Sequence, residues 1–329
     1  MDEPSPPGLV DMPEIVLHHI AEYVNFPGVM SMRKVCTQLR ASLDDHPPLL
    51  SYKRVECTMR NDMVQAIFGE KKIVYCKYPP EQPVSYDGKH IFCGGEYAKM
   101  FSEDLALNVF KHKAKVYWSH IELVSSRRVM NVMRETFARL LNHRHQAQVE
   151  NLFINVTNVN DLFLILPYID SNTIKCIFFH SGVSVRRHAL SVEVVQRLSG
   201  MDCWKNASRI SIADSPMVLT SSVSLQHFLH LETFRVYVEE LALEDLLRVK
   251  ETMKQPTSQL EEAIIRHNRF PARNEFIRAL GPCAKRSGED WTCYFQYIRK
   301  KFCVMVQSKT IIIRVEAHFA DGVQVSSIF

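Results

Sequence analysis

Apolar residues near the N-terminus recur at the spacing of an α-helix. Val16, Ile20 and Val24 lie about one helical turn apart, and Leu17 and Tyr23 flank them. This spacing places the apolar side chains on one stripe of a helix and leaves the rest of its surface polar. The pattern therefore predicts an amphipathic helix that packs against another element through that stripe.

Turn-forming residues bound this helix and a second apolar segment that follows it. The Asn, Pro and Gly of residues 25–28 end the first helix, and the second segment covers residues 29–43. It stops before the prolines at 47–48, because proline cannot continue a helix. We predict a helical module over residues 11–48, preceded by a proline-rich disordered lead-in at residues 1–10.

From about residue 50 the pattern changes to short apolar runs that alternate between strand and helix spacing. Strands are predicted at residues 54–59, 73–78, 120–124, 151–156, 175–180, 208–213 and 232–237. Helices are predicted at residues 97–111, 127–143, 159–166, 192–198, 223–229, 241–253 and 260–265. A terminal strand at 311–315 is expected to form a hairpin with residues 302–307.

The order of these elements predicts an α/β fold. From residue 120 onward, strand starts recur at intervals of roughly 24 to 33 residues, close to the repeat length of leucine-rich arrays. We therefore expect an irregular leucine-rich-repeat-like β/α solenoid over residues 50–329, closed by the C-terminal hairpin. A doubly wound or mixed α/β sheet is the alternative that this pattern leaves open.

The composition argues against a nucleic-acid-binding protein and against a membrane-spanning one. A hydrophobic fraction of 46% and a charged fraction of 23% are typical of a soluble globular chain. The formal charge of +4 is small, and acidic residues surround the basic clusters at 127–128, 186–188 and 299–301, which argues against a nucleic-acid partner. No apolar run reaches the 18 residues that a membrane span needs.

The cysteines and the N-terminus predict a cytoplasmic or nuclear protein. The nine cysteines contain no Cys-x-x-Cys pair, and an odd number of them is typical of reduced intracellular thiols. The acidic, proline-rich N-terminus is unlike a signal peptide.

Residues that could carry catalysis or bind a metal do not converge. His143 and His145 are two positions apart on a predicted helix, which puts their rings on different faces. The sequence contains no Gly-rich phosphate loop, and residues 93–95 are interpreted as a turn before a helix. We therefore expect no enzymatic activity, no cofactor and no metal site.

The N-terminal module resembles an F-box. The resemblance rests on Met12-Pro13-Glu14-Ile15-Val16-Leu17, then Ile20, Val24 and Pro27, then Arg33, Val35-Cys36 and Leu43. The family pattern is a hydrophobic residue before Pro, an acidic residue, an apolar helix and a later Val-Cys pair. This chain departs from it in having Met12 in place of the usual Leu, and Leu39 near the position of a common Trp.

The rest of the chain resembles the FTH domain of the nematode-type F-box A family. This resemblance rests on the Val35-Cys36-Thr37-Gln38-Leu39-Arg40 segment with the Asp-Asp-x-Pro-Pro run after it, and on the strand and helix of residues 152–167.

The resemblance implies that the module binds a Skp-type adaptor, and through it a cullin scaffold, by laying a helix in a groove. The candidate contact residues are Pro13, Ile15, Val16, Ile20, Val35, Cys36 and Leu39. About 35 residues of helix cannot bury a stable core alone, which also favours a partner. The β/α domain would then bind a target protein, as the substrate-recognition adaptor of a Skp–cullin–F-box ubiquitin ligase. A non-catalytic scaffold whose module packs on its own β/α domain is the alternative.

Overall fold

Helices and strands alternate through most of the chain in a computed structural model, which makes it a mixed α/β protein with a large sheet. The structure describes residues 12–24, 28–29, 32, 35–45, 51–60, 62–78, 89–92, 96–111, 114–123, 126–142, 145–180, 188–212, 217–280, 285–288, 290–297 and 300–318. The predicted lead-in at 1–10 and the predicted turn at 93–95 lie outside these residues.

The described residues contain nine α-helices. They are α1 (Glu14–Tyr23), α2 (Thr37–Asp45), α3 (Tyr97–Leu105), α4 (Arg127–Leu140), α5 (Leu162–Ile165), α6 (Val192–Ser199), α7 (Asp202–Asn206), α8 (Leu243–Lys254) and α9 (Arg273–Leu280). A π-helical segment, Ala106–Lys111, continues α3, and single 3₁₀ turns occupy Val159–Asp161, Leu166–Tyr168 and Leu225–Phe228.

Sixteen strands are present in the same part of the chain. They are β1 (Ser51–Met59), β2 (Met63–Phe68), β3 (Lys71–Cys76), β4 (Lys89–Phe92), β5 (Lys115–Leu123), β6 (Gln148–Val156), β7 (Cys176–His180), β8 (His188–Leu190), β9 (Arg209–Ser211), β10 (Met217–Leu219), β11 (Thr233–Glu240), β12 (Glu262–Arg269), β13 (Lys285–Ser287), β14 (Asp290–Tyr297), β15 (Lys300–Val306) and β16 (Thr310–His318).

The chain divides into two compact units. Unit 1 consists of Met1–Leu152 and Phe163–Thr173, and unit 2 of Phe153–Leu162 and Ile174–Phe329. The N-terminal helices α1 and α2 belong to unit 1 and contact each other. Most residues between them lie outside the described part, so the three-helix arrangement of the predicted module stays a prediction.

In unit 1 the strand order is β5-β1-β2-β3-β4. β1 pairs with β5 in parallel, whereas β1, β2 and β3 form an antiparallel meander. Only two residues connect β2 to β3, and the first of them, Gly69, has a φ of 64°. Glycine is suited to this position because such tight hairpin turns need a positive φ.

Aromatic rings fill the core of unit 1. The rings of Phe110, Phe137 and Tyr168 meet in pairs at centroid distances of 5.4 to 5.8 Å. On α3, Phe101 lies 5.7 Å from the ring of Tyr75, whose hydroxyl donates a 2.6 Å hydrogen bond to Asp104. Tyr75 thus ties α3 to the sheet, and the ring of Phe137 ties α4 to the π-helical segment that continues α3.

Unit 2 contains four parallel strands whose spatial order, β7-β9-β11-β12, follows their order in the chain. β16 pairs antiparallel with β12, and β15, β14 and β13 follow as an antiparallel meander. The predicted C-terminal hairpin is confirmed, because Val306 is paired with Ile311 across a short turn. This strand order establishes a mixed parallel and antiparallel sheet, and the solenoid stays a prediction.

Trp204 is one of the largest fully buried side chains of unit 2. Its indole ring lies 6.1 Å from the ring of Phe179 and 5.4 Å from that of Phe228, and Phe228 lies 5.7 Å from Phe234 on β11. Its indole N–H also donates a 3.1 Å hydrogen bond to the carbonyl of His227. These rings join α7 and a 3₁₀ turn to the inner face of the sheet.

One predicted helix, at residues 260–265, is wrong. Residues 262–265 belong to β12, whose side chains alternate between buried and less buried positions. β12 pairs with β11 on one side and β16 on the other, so its backbone groups find partners in two strands that lie far away along the chain. A six-residue apolar pattern does not carry that information.

Candidate protein-binding surfaces

Helix α1 has two apolar faces, and only one of them is buried. At about 100° per residue, Leu17, Ala21 and Val24 point in one direction, and the side chains of Leu17 and Ala21 are buried. Ile15 and Tyr23 point to a different side of the helix, roughly 120° or more from the centre of the buried stripe. The apolar stripe of the sequence is thus wider than the face that the fold covers.

The uncovered face is unusually apolar for a protein surface. Ile15 is 79% exposed, Tyr23 is 81% exposed, and Val35, just before α2, is 67% exposed. Five of the ten large apolar side chains that are exposed in the described residues lie between positions 12 and 35. We call these five residues, Met12, Ile15, Val16, Tyr23 and Val35, the N-terminal apolar surface. A concentration of exposed apolar side chains is a feature of many protein-interaction sites, so this segment is a candidate site.

The structure places the predicted contact residues in three environments. Pro13, Ile15, Val16 and Val35 are exposed, and Ile20 and Cys36 are half-buried, whereas Leu39 is 1% exposed. Leu39 therefore packs inside the module and offers no surface to a partner in this conformation. Tyr23 belongs to the exposed set although the sequence pattern had placed it beside the packing stripe.

Cys36 has a structural role at the start of α2. Its sulfur accepts a 3.4 Å hydrogen bond from the backbone N–H of Leu39, and its carbonyl accepts one from Arg40. The first N–H groups of a helix have no partner within it, and a side-chain acceptor one turn earlier satisfies one of them. Cys36 thus acts as an N-cap, which fixes the direction in which α2 begins.

The second surface is the outer face of the unit 2 sheet. On β11 the inward side chains Phe234 and Val236 are buried, while Arg235 between them is exposed. Arg209 on β9 and Arg314 on β16 are exposed on the same side, because strand side chains alternate between the two faces. We call this side of the strands the open face of unit 2.

A concavity of about 390 Å³ lies on the open face. It is lined by Arg209, Arg235 and Arg314, together with Glu262, Ser211 and Phe178. Glu262 pairs with Arg235 at 3.5 Å, and Arg314 pairs with Glu316 at 3.3 Å. Sequence reasoning missed this site, although all three arginines stand at polar positions of predicted or observed strands.

Several buried groups have shifted pKa values that reflect packing. Burial raises the pKa of the Cys203 thiol to about 11 and raises that of Cys57 as well. Burial, together with the positive charges of Arg273 and Lys309, lowers the pKa of His267. These groups are inside the core, so their shifts identify structural rather than reactive positions.

Only some of the residues considered for metal binding and nucleic-acid binding lie in the described part of the chain. His143 lies outside the described part, and the His145 ring accepts a hydrogen bond from the backbone N–H of Asn142. The described residues hold no group of three potential metal ligands, and none of their helices is long and apolar enough to cross a bilayer. The basic clusters at 186–187 and 299 are likewise undescribed.

The cysteines differ in one respect from the expectation of reduced thiols. Six of them in the described part of the chain carry thiols, whereas Cys293 is disulfide-bonded.

Comparison with known protein families identifies a domain in the middle part of the chain. No curated protein matches the chain. The N-terminal helices lie outside the matched residues, so the F-box stays a prediction. The predicted FTH domain is confirmed over a defined span, because residues 131–282 match the family model of the FTH domain.

Proposed function

We propose that this chain is the substrate-recognition adaptor of a Skp–cullin–F-box ubiquitin ligase. In this proposal the N-terminal apolar surface binds a Skp-type adaptor, which connects it to a cullin scaffold, and the β/α domain binds a target protein. The chain itself contributes no catalytic group. It raises the local concentration of target lysines near a ubiquitin-charged enzyme, which speeds transfer without new chemistry.

The N-terminal apolar surface carries the proposal. Fully burying an aliphatic or aromatic side chain that water now covers stabilises a complex by about 1.5 to 3 kcal/mol. Ile15, Tyr23 and Val35 are each at least two-thirds exposed, so together they offer several kcal/mol to a partner with an apolar groove. The FTH match at residues 131–282 supports the same direction, since that domain is consistent with an F-box-associated protein-interaction role.

The fold supports a binding role for the second part of the chain. We propose that the parallel strands β7, β9, β11 and β12 form an irregular leucine-rich-repeat-like solenoid, and that the β13–β16 meander caps its end. An array of this kind presents a broad outer surface for a protein target. In this proposal the ligase acts in the cytosol or the nucleus.

The test is co-purification of the full chain with a Skp-type adaptor. Tyr23→Asp places a carboxylate at the most exposed side chain of the apolar surface, and burying an unpaired carboxylate is costly. We expect adaptor affinity to fall at least about tenfold, which corresponds to 1.4 kcal/mol. Ile15→Asp is expected to act in the same direction. Both side chains are exposed, so neither change disturbs the core.

Tyr117→Asp provides the matched control. Tyr117 lies on β5 and is 57% exposed, so the same replacement is made at another exposed tyrosine of unit 1. We expect this variant to bind the adaptor normally and to keep the circular dichroism spectrum of the unmutated chain. Failure of the unmutated chain to bind would sink the ligase proposal and favour the scaffold alternative. Normal binding by Tyr23→Asp and Ile15→Asp would show that the adaptor docks elsewhere.

A further inference from the structure

Two short side chains lie among long ones on the open face of unit 2. Ser211 lies between Phe178 and Arg235 in one row across the strands. In the neighbouring row, Thr233 lies between Arg209 and Glu262. Because adjacent strands are about 4.8 Å apart, the long side chains rise around the short ones. This alternation explains why the concavity forms at this place on an otherwise continuous sheet.

The ion pairs at the concavity leave one guanidinium without a partner among the described residues. Arg235 is paired with Glu262, and Arg314 with Glu316, but the Arg209 guanidinium has no hydrogen bond or ion pair in the described part of the chain. The lining holds three arginines and two glutamates, Glu261 and Glu262. With Glu316 these glutamates equal the arginines in number, and Arg209 is the exposed guanidinium with which no carboxylate of the described residues forms an ion pair.

An apolar platform lies beside this cation. The rings of Phe178 and Phe153 stack at a centroid distance of 4.2 Å with an interplanar angle of 11°. Both rings are half-buried. Alternate side chains of an extended peptide lie about 7 Å apart on one face, which matches the separation of two such rows. One side chain can then reach Arg209 while a neighbour on the same face packs on the stacked rings.

We propose that this concavity binds an extended acidic segment of the target protein. A carboxylate of the segment pairs with Arg209, and an adjacent apolar side chain packs on the Phe153–Phe178 stack. The assignment of the segment to a target rests on the proposed function. A carboxylate supplies the single ion-pair partner that Arg209 lacks, whereas a phosphate would bring nearly two negative charges close to Glu262. Arginine suits a carboxylate because its planar N–H groups can bind both oxygens.

The test measures binding of short fluorescein-labelled peptides to the full chain by fluorescence anisotropy. In the first peptide glutamate alternates with phenylalanine, and in the second glutamine replaces every glutamate. We expect the glutamate peptide to bind about five- to tenfold more tightly at low salt, and salt to reduce that preference. Arg209→Gln should abolish the preference. Arg197→Gln, which removes an exposed arginine of α6, should retain it.

A charge exchange sharpens the test. Arg209→Glu should weaken binding of the glutamate peptide and strengthen binding of a peptide in which lysine replaces the glutamates. Equal affinity for the glutamate and glutamine peptides would overturn the proposal, and so would an Arg209→Gln variant that keeps the preference. Tighter binding of a phosphoserine peptide than of the glutamate peptide would overturn the choice of a carboxylate.

Failure of this inference is distinguishable from failure of the proposed function. Arg209→Gln is expected to leave adaptor association unchanged, and Tyr23→Asp is expected to leave the peptide preference unchanged. If the adaptor does not bind but the glutamate preference depends on Arg209, the ligase role is lost and the acidic-peptide site stands.

Discussion

Replacement of Trp204 tests whether the core of unit 2 is organised around this side chain. Trp204 is 1% exposed, contacts the rings of Phe179 and Phe228, and donates a hydrogen bond to the carbonyl of His227. Trp204→Phe removes that donor and part of the ring. A net hydrogen bond contributes about 1 kcal/mol, and the smaller ring leaves a cavity that costs about 1 kcal/mol more. We expect Trp204→Phe to lower the free energy of unfolding by about 2 kcal/mol.

Trp204→Ala removes the whole indole and extends the series. Truncation of a buried Trp costs about 3 to 5 kcal/mol, a large part of the stability of an ordinary domain. Urea unfolding followed by far-ultraviolet circular dichroism measures both variants. Trp118→Phe is the control, because Trp118 is 39% exposed on β5 and its replacement should change stability by about 0.5 kcal/mol or less. If the Trp204 variants unfold at the same urea concentration as Trp118→Phe, the unit 2 core is not organised around this ring.

Three further predictions concern pH, capping and thiol reactivity. Burial lowers the pKa of His267, so this side chain binds a proton more readily in the unfolded chain than in the folded one. The free energy of unfolding should therefore fall as the pH drops through about 6.5 toward the lowered pKa. His267→Phe should flatten this dependence in urea unfolding, and an unchanged slope would contradict it. Asp245→Ala should lower the free energy of unfolding by about 1 to 2 kcal/mol, because the Asp245 carboxylate accepts hydrogen bonds from the Ser224 hydroxyl and the Leu225 backbone N–H. Thermal unfolding measures this loss, with Asp245→Asn as the variant that keeps an acceptor oxygen. An equal loss in both variants would show that the charge of Asp245 matters more than its hydrogen bonds. Cys203, whose pKa is raised to about 11, and Cys57 should resist iodoacetamide until urea unfolds the chain; mass spectrometry that finds equal alkylation without urea would show that these thiols are accessible.

The elements that local periodicity specifies strongly were predictable. The strands β6, β7 and β11 and the helices α4, α6 and α8 lie within a few residues of their predicted bounds, because each contains a full period of apolar positions. β12 was mistaken for a helix, since its strand character depends on pairing with β11 and β16. The predicted helix at 223–229 is a short 3₁₀ turn, held at its start by Ser224 and Asp245.

For the N-terminal apolar surface as well, the sequence predicted one part and the folded structure decided the other. The sequence predicts that α1 is apolar, but the side of the helix that becomes buried depends on how α1 packs in the folded unit. For this reason the sequence pattern includes Leu39 among the candidate contact residues although it is buried, and places Tyr23 beside the packing stripe although it is 81% exposed.

The sequence by itself determined the apolar N-terminal module, the alternation of strands and helices, and the polar positions of Arg209, Arg235 and Arg314 along their strands. Periodicity is a property of a few neighbouring residues, so it is readable without a fold. Tertiary structure alone decided that β9 lies beside β11, and that Ser211 therefore stands between Phe178 and Arg235. Strand neighbours are chosen by contacts between residues far apart in the chain, and the acidic-peptide site exists only through that choice.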